Sequence, residues 1–144
     1  MANSCLQDDY CLISDLGEET YHFPTNIVPT DLRPYLVIWS DHHRRLYILE
    51  LTVCLKLYIF DIAAGRKTAR YTELASDARV NGFQTTIIPI QIGSRGVIEE
   101  SGLEDLRSCL KHIPPKEWRS FLITIVTATI EASHKIWCVR NKAA

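Results

Sequence analysis

LRPYLVIWSDHHRRLYILELTVC, residues 32–54, is the stretch that decides the fold. Leu36-Val-Ile-Trp39 is a compact apolar run, and Pro34 biases the chain before it toward an extended approach. Residues 40–45, SDHHRR, are polar, and Leu46–Val53, LYILELTV, is rich in strand formers. Two such runs around a short polar connection predict a β-hairpin. Alternation then places Glu50 and Thr52 on one face and Leu49, Leu51 and Val53 on the other. A carboxylate in the middle of so apolar a strand requires a reason, because an unpaired charge is costly to bury.

Downstream of the hairpin the period changes. Ile62, Ala63, Ala69, Leu74 and Ala78 recur near helical spacing, with Asp61 as the expected N-cap and Asn81-Gly82 as the stop. Arg66, Lys67, Arg70 and Arg79 form the expected exposed face. Phe83–Ile92, FQTTIIPIQI, reads as a third strand, edge-like or bulged at Pro89, and ends in the tight turn Gly93-Ser-Arg-Gly96. Two helices follow, about Leu103–His112 and Lys116–Cys138, separated by Pro114-Pro115. Trp118, Phe121, Leu122, Ile125, Ile130 and Trp137 make an apolar stripe on the second, and Trp39 and Trp137 are expected in the core. The order hairpin, helix, strand, helix, helix predicts an α/β domain with a mixed central sheet and flanking helices.

Upstream lies a different kind of chain. Residues 1–32 carry six acids (Asp8, Asp9, Asp15, Glu18, Glu19, Asp31) and no Lys or Arg, while the remainder carries 16 bases and 11 acids, a balance of +5. Residues 1–31 are therefore expected as an acidic, partly ordered lead-in with a short strand or turn near Tyr21–Phe23, and residues 32–144 as a single domain. A phosphate-mimicking role across a basic face is one expectation for the lead-in. The N-terminus has no secretory pattern, and the run Phe121–Ile130 is interrupted by threonines and short of a bilayer span, so no membrane partner is expected. The expectation is an intracellular chain, cytoplasmic or nuclear. Five cysteines without a CxxC pair read as free, mostly buried thiols. Cys109-x-x-His112 with His134-x-x-x-Cys138 is the sharper, zinc-binding alternative.

Four features converge on Glu50. Arg33-Pro34-Tyr35 opens the strand across the hairpin from it. Lys67-x-x-x-Tyr71 places an amine and a phenol one helical turn apart. Gln91 lies near the end of the third strand, and Gly93-Ser-Arg95-Gly96 could offer a guanidinium and backbone amides to a phosphate. The bases between residues 42 and 70 (Arg44, Arg45, Lys56, Arg66, Lys67, Arg70) outnumber the acids Glu50 and Asp61. A nucleic-acid footprint predicts that they gather on the side of Glu50.

The stretches LRPYLVIWSD, LYILELTVC, AAGRKTARYTELASDARVNGF and IIPIQIGSRGVI, spanning roughly residues 30–98, resemble the PD-(D/E)XK, or restriction-endonuclease-like, nuclease superfamily. More narrowly, they are similar to the nuclease-like domain of animal retroelement-type proteins. The resemblance implies a restriction-endonuclease-like mixed sheet and metal-dependent hydrolysis of DNA phosphodiesters. In that superfamily two strand acids hold Mg²⁺ (or Mn²⁺), which supplies an activated water and charge neutralisation, with a lysine assisting. Glu50 stands at the second acid. Tyr35 stands at the first, Thr52 at the lysine, and Gln91 where related sequences carry Glu. The resemblance thus implies catalytic positions at Glu50, Lys67, Tyr71 and Gln91, a metal ligand at Glu50, and DNA contacts at Arg33, Arg66, Arg70 and Arg95. A lone Glu50 with neutral neighbours binds Mg²⁺ weakly or not at all. Two readings follow: an endonuclease with impaired catalysis, and a non-catalytic remnant that binds DNA or a protein. Neither calls for a small-molecule cofactor, and both admit a homodimer.

Overall fold

The computed structural model describes residues 4–6, 9–15, 20–54, 60–111 and 113–142, with the backbone alone at 4–6, 54, 60–64, 67 and 68. Five strands and three helices follow in the order β1 (Ser4–Leu6), β2 (Tyr10–Ser14), β3 (Leu36–Ser40), β4 (Arg45–Cys54), α1 (Phe60–Val80), β5 (Gln84–Gly93), α2 (Glu100–Cys109) and α3 (Pro115–Lys142). The strands form one sheet in sequence order. β1 to β4 are antiparallel, with Ser14 opposite Leu36 and Leu36 opposite Leu49. β5 returns through α1 to lie beside β4, where the Gln84 amide donates to the Arg44 carbonyl at 2.8 Å. Both strands begin at that end, so they run parallel, and the sheet is mixed. This is the α/β class expected. The hairpin, the long helix, the third strand and the two last helices all occur, with ends shifted by one to four residues. One shift concerns a cap: α1 begins at Phe60, which puts Asp61 inside the first turn rather than before it.

The acidic N-terminal region departs from expectation. The strand or turn foreseen near Tyr21–Phe23 is replaced by β1 and β2, which extend the sheet beyond β3. Two short apolar runs carry this pairing, and Asp9 occupies the connection with a left-handed φ of 62°. Phe23, Ile27 and Val28 enter the core with Val37, Trp39, Leu46, Ile48, Tyr71, Leu74, Ala78 and Phe83. Asp9 and Asp15 remain exposed, and Asp8, Glu18 and Glu19 lie outside the described residues.

The chain forms two compact units, residues 1–51 with 64–89, and residues 52–63 with 90–144. In the first, alternation sets the sheet face toward α1. Cys11 and Ile13 on β2, Val37 and Trp39 on β3, and Leu46 and Ile48 on β4 all belong to that cluster. The buried stripe of α1 is Tyr71, Leu74, Ala75 and Ala78, at i, i+3, i+4 and i+7. Ala69, expected on the apolar face, is exposed. The helix ends in a Schellman motif: the Phe83 amide donates to Ala78 and the Gly82 amide to Arg79, both at 3.0 Å. Gly82 takes φ +87°, and a Cβ there would lie 3.0 Å from the Arg44 guanidinium. Arg44 is committed to this corner, donating to the Asn81 carbonyl at 2.7 Å and lying 4.2 Å from the centre of the Phe83 ring.

In the second unit, Glu99 caps α2, accepting from the amides of Ser101 and Gly102 at 3.0 and 2.9 Å. Pro115 opens α3, where its missing N–H costs nothing. Ile125 and Thr129 are buried, but Trp137 is 63% exposed, against its expected place in the core. Helical rotation explains the difference: Trp137 lies seven residues beyond the exposed Ile130 and shares its outer face. α3 is long and apolar enough to cross a membrane by length and composition. The run Phe121–Ile130 understated its extent, because the helix continues to Lys142.

Candidate functional site

Glu50 lies on the face of β4 that looks toward α1, two residues beyond Ile48, and is 6% exposed. Cross-strand register explains its company. Ser14, Leu36 and Leu49 are opposite one another, so Asp15, Tyr35 and Glu50 form the next row across β2, β3 and β4. The Asp15 amide donates to the Tyr35 carbonyl at 2.9 Å, and the Tyr35 amide donates to Glu50 Oε2 at 2.9 Å. α1 brings Tyr71 onto the row. Its hydroxyl donates to the Glu50 carboxylate and sits 3.5 Å from the Arg33 carbonyl. Tyr21 closes the other side by donating its hydroxyl to the Pro34 carbonyl.

Three phenols thus surround a carboxylate in a partly dry setting. Burial pushes Tyr71 up to about 12, and the Glu50 charge adds to the effect while Arg70 opposes it. Burial also pushes Tyr35 up to about 12, helped by Asp15 and then Glu50. Tyr21 is raised above its ordinary value by burial, then by Asp15. All three remain protonated donors at neutral pH. The arrangement answers why a carboxylate is tolerated in this strand: charge-assisted hydrogen bonds offset its desolvation.

Mg²⁺ and Mn²⁺ favour anionic oxygens. Glu50 is the one carboxylate at the motif positions, and two donors already hold it. Among the described residues, no group of three or more His, Cys, Asp or Glu could hold a metal ion. This donor set fits a hard divalent ion poorly. Cys138 Sγ lies 3.6 Å from His134 Nε2, whereas His112 of the zinc alternative lies outside the described residues. Cys11, Cys109 and Cys138 form no disulfide among the described residues and are half-buried rather than fully buried.

The sequence-predicted positions separate into two groups. Glu50, Tyr71, Arg33, Arg66 and Arg70 belong to the first unit. Tyr71 is wholly buried, so it does not line an open helix face with Lys67, whose side chain lies outside the described residues. Arg33, Arg66 and Arg70 are exposed, and the Arg70 guanidinium lies 5.5 Å from the centre of the Tyr71 ring. Of the wider basic cluster, Lys56 lies outside the described residues, and Arg44 and Arg45 are engaged elsewhere. Arg44 is committed to the helix corner, and Arg45 interacts with Tyr47 and Tyr10, on the opposite face of the sheet.

Gln91 and Arg95 belong to the second unit. Gln91 is 4% exposed and its Oε1 has no hydrogen-bond partner, while its backbone carbonyl accepts from Glu99 at 2.9 Å. An amide at this depth avoids the larger penalty of a buried carboxylate. Arg95 is exposed, but the turn is not an open cradle of amides. Gly96 donates to Gly93 at 2.8 Å and Gly93 to Val97 at 2.7 Å, which spends both glycine N–H groups internally.

Asp15 is the member of this cluster that sequence reasoning missed. Its signal was the run Tyr10-Cys-Leu-Ile13, a short strand whose register carries the next acid to Tyr35. No protein-family model matches the chain, and no curated protein matches it.

Proposed function

We propose that this chain is a PD-(D/E)XK-type, nuclease-like α/β domain that binds DNA and in which metal-dependent phosphodiester hydrolysis is impaired. The observation that carries the reading is the 2.9 Å hydrogen bond from the Tyr35 amide to Glu50. It makes the two motif acid positions neighbours, as a metal site would need, yet one of them is a phenol. The other is a carboxylate already engaged by Tyr71. Glu50 in this reading organises the sheet end rather than a metal. Arg33, Arg66 and Arg70 supply the phosphate contacts of the first unit, and Arg95 supplies one from the second. The resemblance supports DNA as the polyanion.

The test uses supercoiled DNA with Mg²⁺ or Mn²⁺, with the wild type beside Glu50→Ala and the restoration Tyr35→Asp, which places a second carboxylate beside Glu50 within the first unit. The expected result is salt-sensitive binding without cleavage by the wild type, and metal-dependent cutting by the restored variant. Wild-type cleavage abolished by Glu50→Ala overturns the impaired reading, and absence of salt-sensitive binding overturns the DNA reading. Asp15 favours a second reading, in which it stands in for the missing acid and cleavage persists. Loss of wild-type cutting in Asp15→Asn would identify that case.

A further inference from the structure

Beyond the sheet site, the least explained surface of the molecule is the outer side of α3. Ile123, Ile130 and Trp137 recur every seven residues and therefore lie along one line of the helix. All three are exposed, and Ile136 and Val139 add exposed apolar surface toward the C-terminal end. The opposite side is committed as far as Thr129: Ile125 and Thr129 are buried, and the Trp118 ring lies 5.1 Å from the Arg107 guanidinium, whereas beyond it Ile136 and Val139 on that same side are exposed. The charges are arranged in parallel with this division. Between Ser120 and His134 the helix has one charged residue, Glu131. Exposed cations flank that zone, Lys116 and Arg119 before it and Lys135, Arg140 and Lys142 after it. With Glu117 and Glu131 the helix carries five bases and two acids, a balance of +3.

We infer that α3 docks, lying in the interfacial plane, on an anionic lipid bilayer, with Ile123, Ile130 and Trp137 entering the headgroup boundary. A helix with an exposed apolar stripe, an aromatic residue at its edge and lysine and arginine at its flanks has the chemistry of an interfacial anchor. Spanning is disfavoured, because the middle of the helix packs against its own unit through Ile125 and Thr129. Charge also decides against a second copy of the chain. Parallel pairing of the stripe sets Arg119 and Arg140 beside their own copies. Antiparallel pairing centred on Ile130 sets Arg119 between Arg140 and Lys142 of the other copy. An anionic surface complements the same cations, and its attraction is screened by salt. This inference does not depend on the nuclease reading.

The test is co-sedimentation of the full chain with vesicles of phosphatidylcholine alone or mixed with phosphatidylserine. Partition into the serine-containing vesicles is expected to be roughly tenfold stronger and to weaken as salt is raised. The double substitution Ile123→Asp with Trp137→Asp should remove binding at least roughly tenfold, since both side chains are solvent-facing. Should that variant fail to fold by circular dichroism, the Trp137 emission provides the check. Wild type minus Trp137→Phe should shift to the blue with anionic vesicles. Equal partition into both vesicle types, or no partition, overturns the inference. So does concentration-dependent self-association that masks the stripe, which would assign the surface to a second copy.

Discussion

Tyr71→Phe is the sharpest probe of the polar cluster, because it removes a single hydroxyl and leaves the buried ring in place. The hydroxyl donates to a carboxylate that is itself 6% exposed. A hydrogen bond to a charged group contributes about 1.5–3 kcal/mol, and the loss leaves a buried acceptor less satisfied. In a domain near 150 residues this corresponds to a fall in melting temperature of about 4–10 °C at neutral pH. The alkaline limb offers a second readout. Tyr71 has an ordinary value of 10.0 and is pushed up to about 12. Below 10 the phenol is protonated in both the folded and the unfolded chain, and its contribution is intact. As pH rises from 10 toward 12 the unfolded chain releases this proton and the folded chain retains it, so stability falls. The loss follows from the direction of the shift and develops between the ordinary and the raised value. Tyr71→Phe lacks the titration, so the gap between wild type and variant should narrow above pH 10. Tyr35, also raised, continues to destabilise both proteins there. Thermal denaturation by circular dichroism, from neutral to alkaline pH, measures each part. A double-mutant cycle with Glu50→Gln should give a coupling of at least about 1 kcal/mol. An unchanged melting temperature at neutral pH, or a gap that stays constant on the alkaline limb, would refute the assignment.

Other expectations follow from backbone and packing. Gly82→Ala should destabilise by about 1–2 kcal/mol, because φ is +87° and its Cβ would crowd Arg44, whereas Gly65→Ala, with open space around it, should stabilise α1 by about 0.5–1 kcal/mol. Chemical denaturation of the two variants should move in opposite directions. Glu99→Ala should cost about 0.5–2 kcal/mol through loss of the α2 cap. The Gly102 amide and Ser101 hydroxyl hold the Glu99 carboxyl below its ordinary value, so its contribution is present above that value and lost as pH falls. The wild-type and Glu99→Ala stability curves should therefore converge in acid. Trp39→Ala should cost about 3–5 kcal/mol and Trp137→Ala less than about 0.5 kcal/mol, which urea titration resolves.

Residues 32–98 made the central elements legible because local chemistry there agrees with tertiary structure. Leu36–Trp39 and Leu46–Val53 have strand composition around a polar connection, and Asn81-Gly82 ends α1 with the backbone freedom a Schellman motif requires. Glu50 stood out for the same reason: a charge within an apolar strand breaks the local pattern. Trp137 was misread because apolar periodicity marks the faces of a helix but not which face the body covers. On α3, Ile125 and Thr129 are covered while Ile130 and Trp137 are not. Arg44 and Arg45 were grouped with Arg66 and Arg70 by proximity in sequence, and the pleat sends Arg45 to the other face.

The sequence by itself determined the α/β class, the hairpin, the helix and strand that follow it, and the presence of one anomalous carboxylate. These depend on periodicity, turn chemistry and chain connectivity, all of which are local. Tertiary structure alone decided what that carboxylate meets. β2 pairs with β3 and sets Asp15 in line with Tyr35 and Glu50, while α1 lowers the Tyr71 hydroxyl onto the row. Strand register and helix rotation are fixed by burial across the whole unit, where a shift of one residue would turn Glu50 to the opposite face. The acidic N-terminal region thus contributes an added pair of strands, and the buried carboxylate of Glu50 is held by the Tyr71 hydroxyl and the Tyr35 amide.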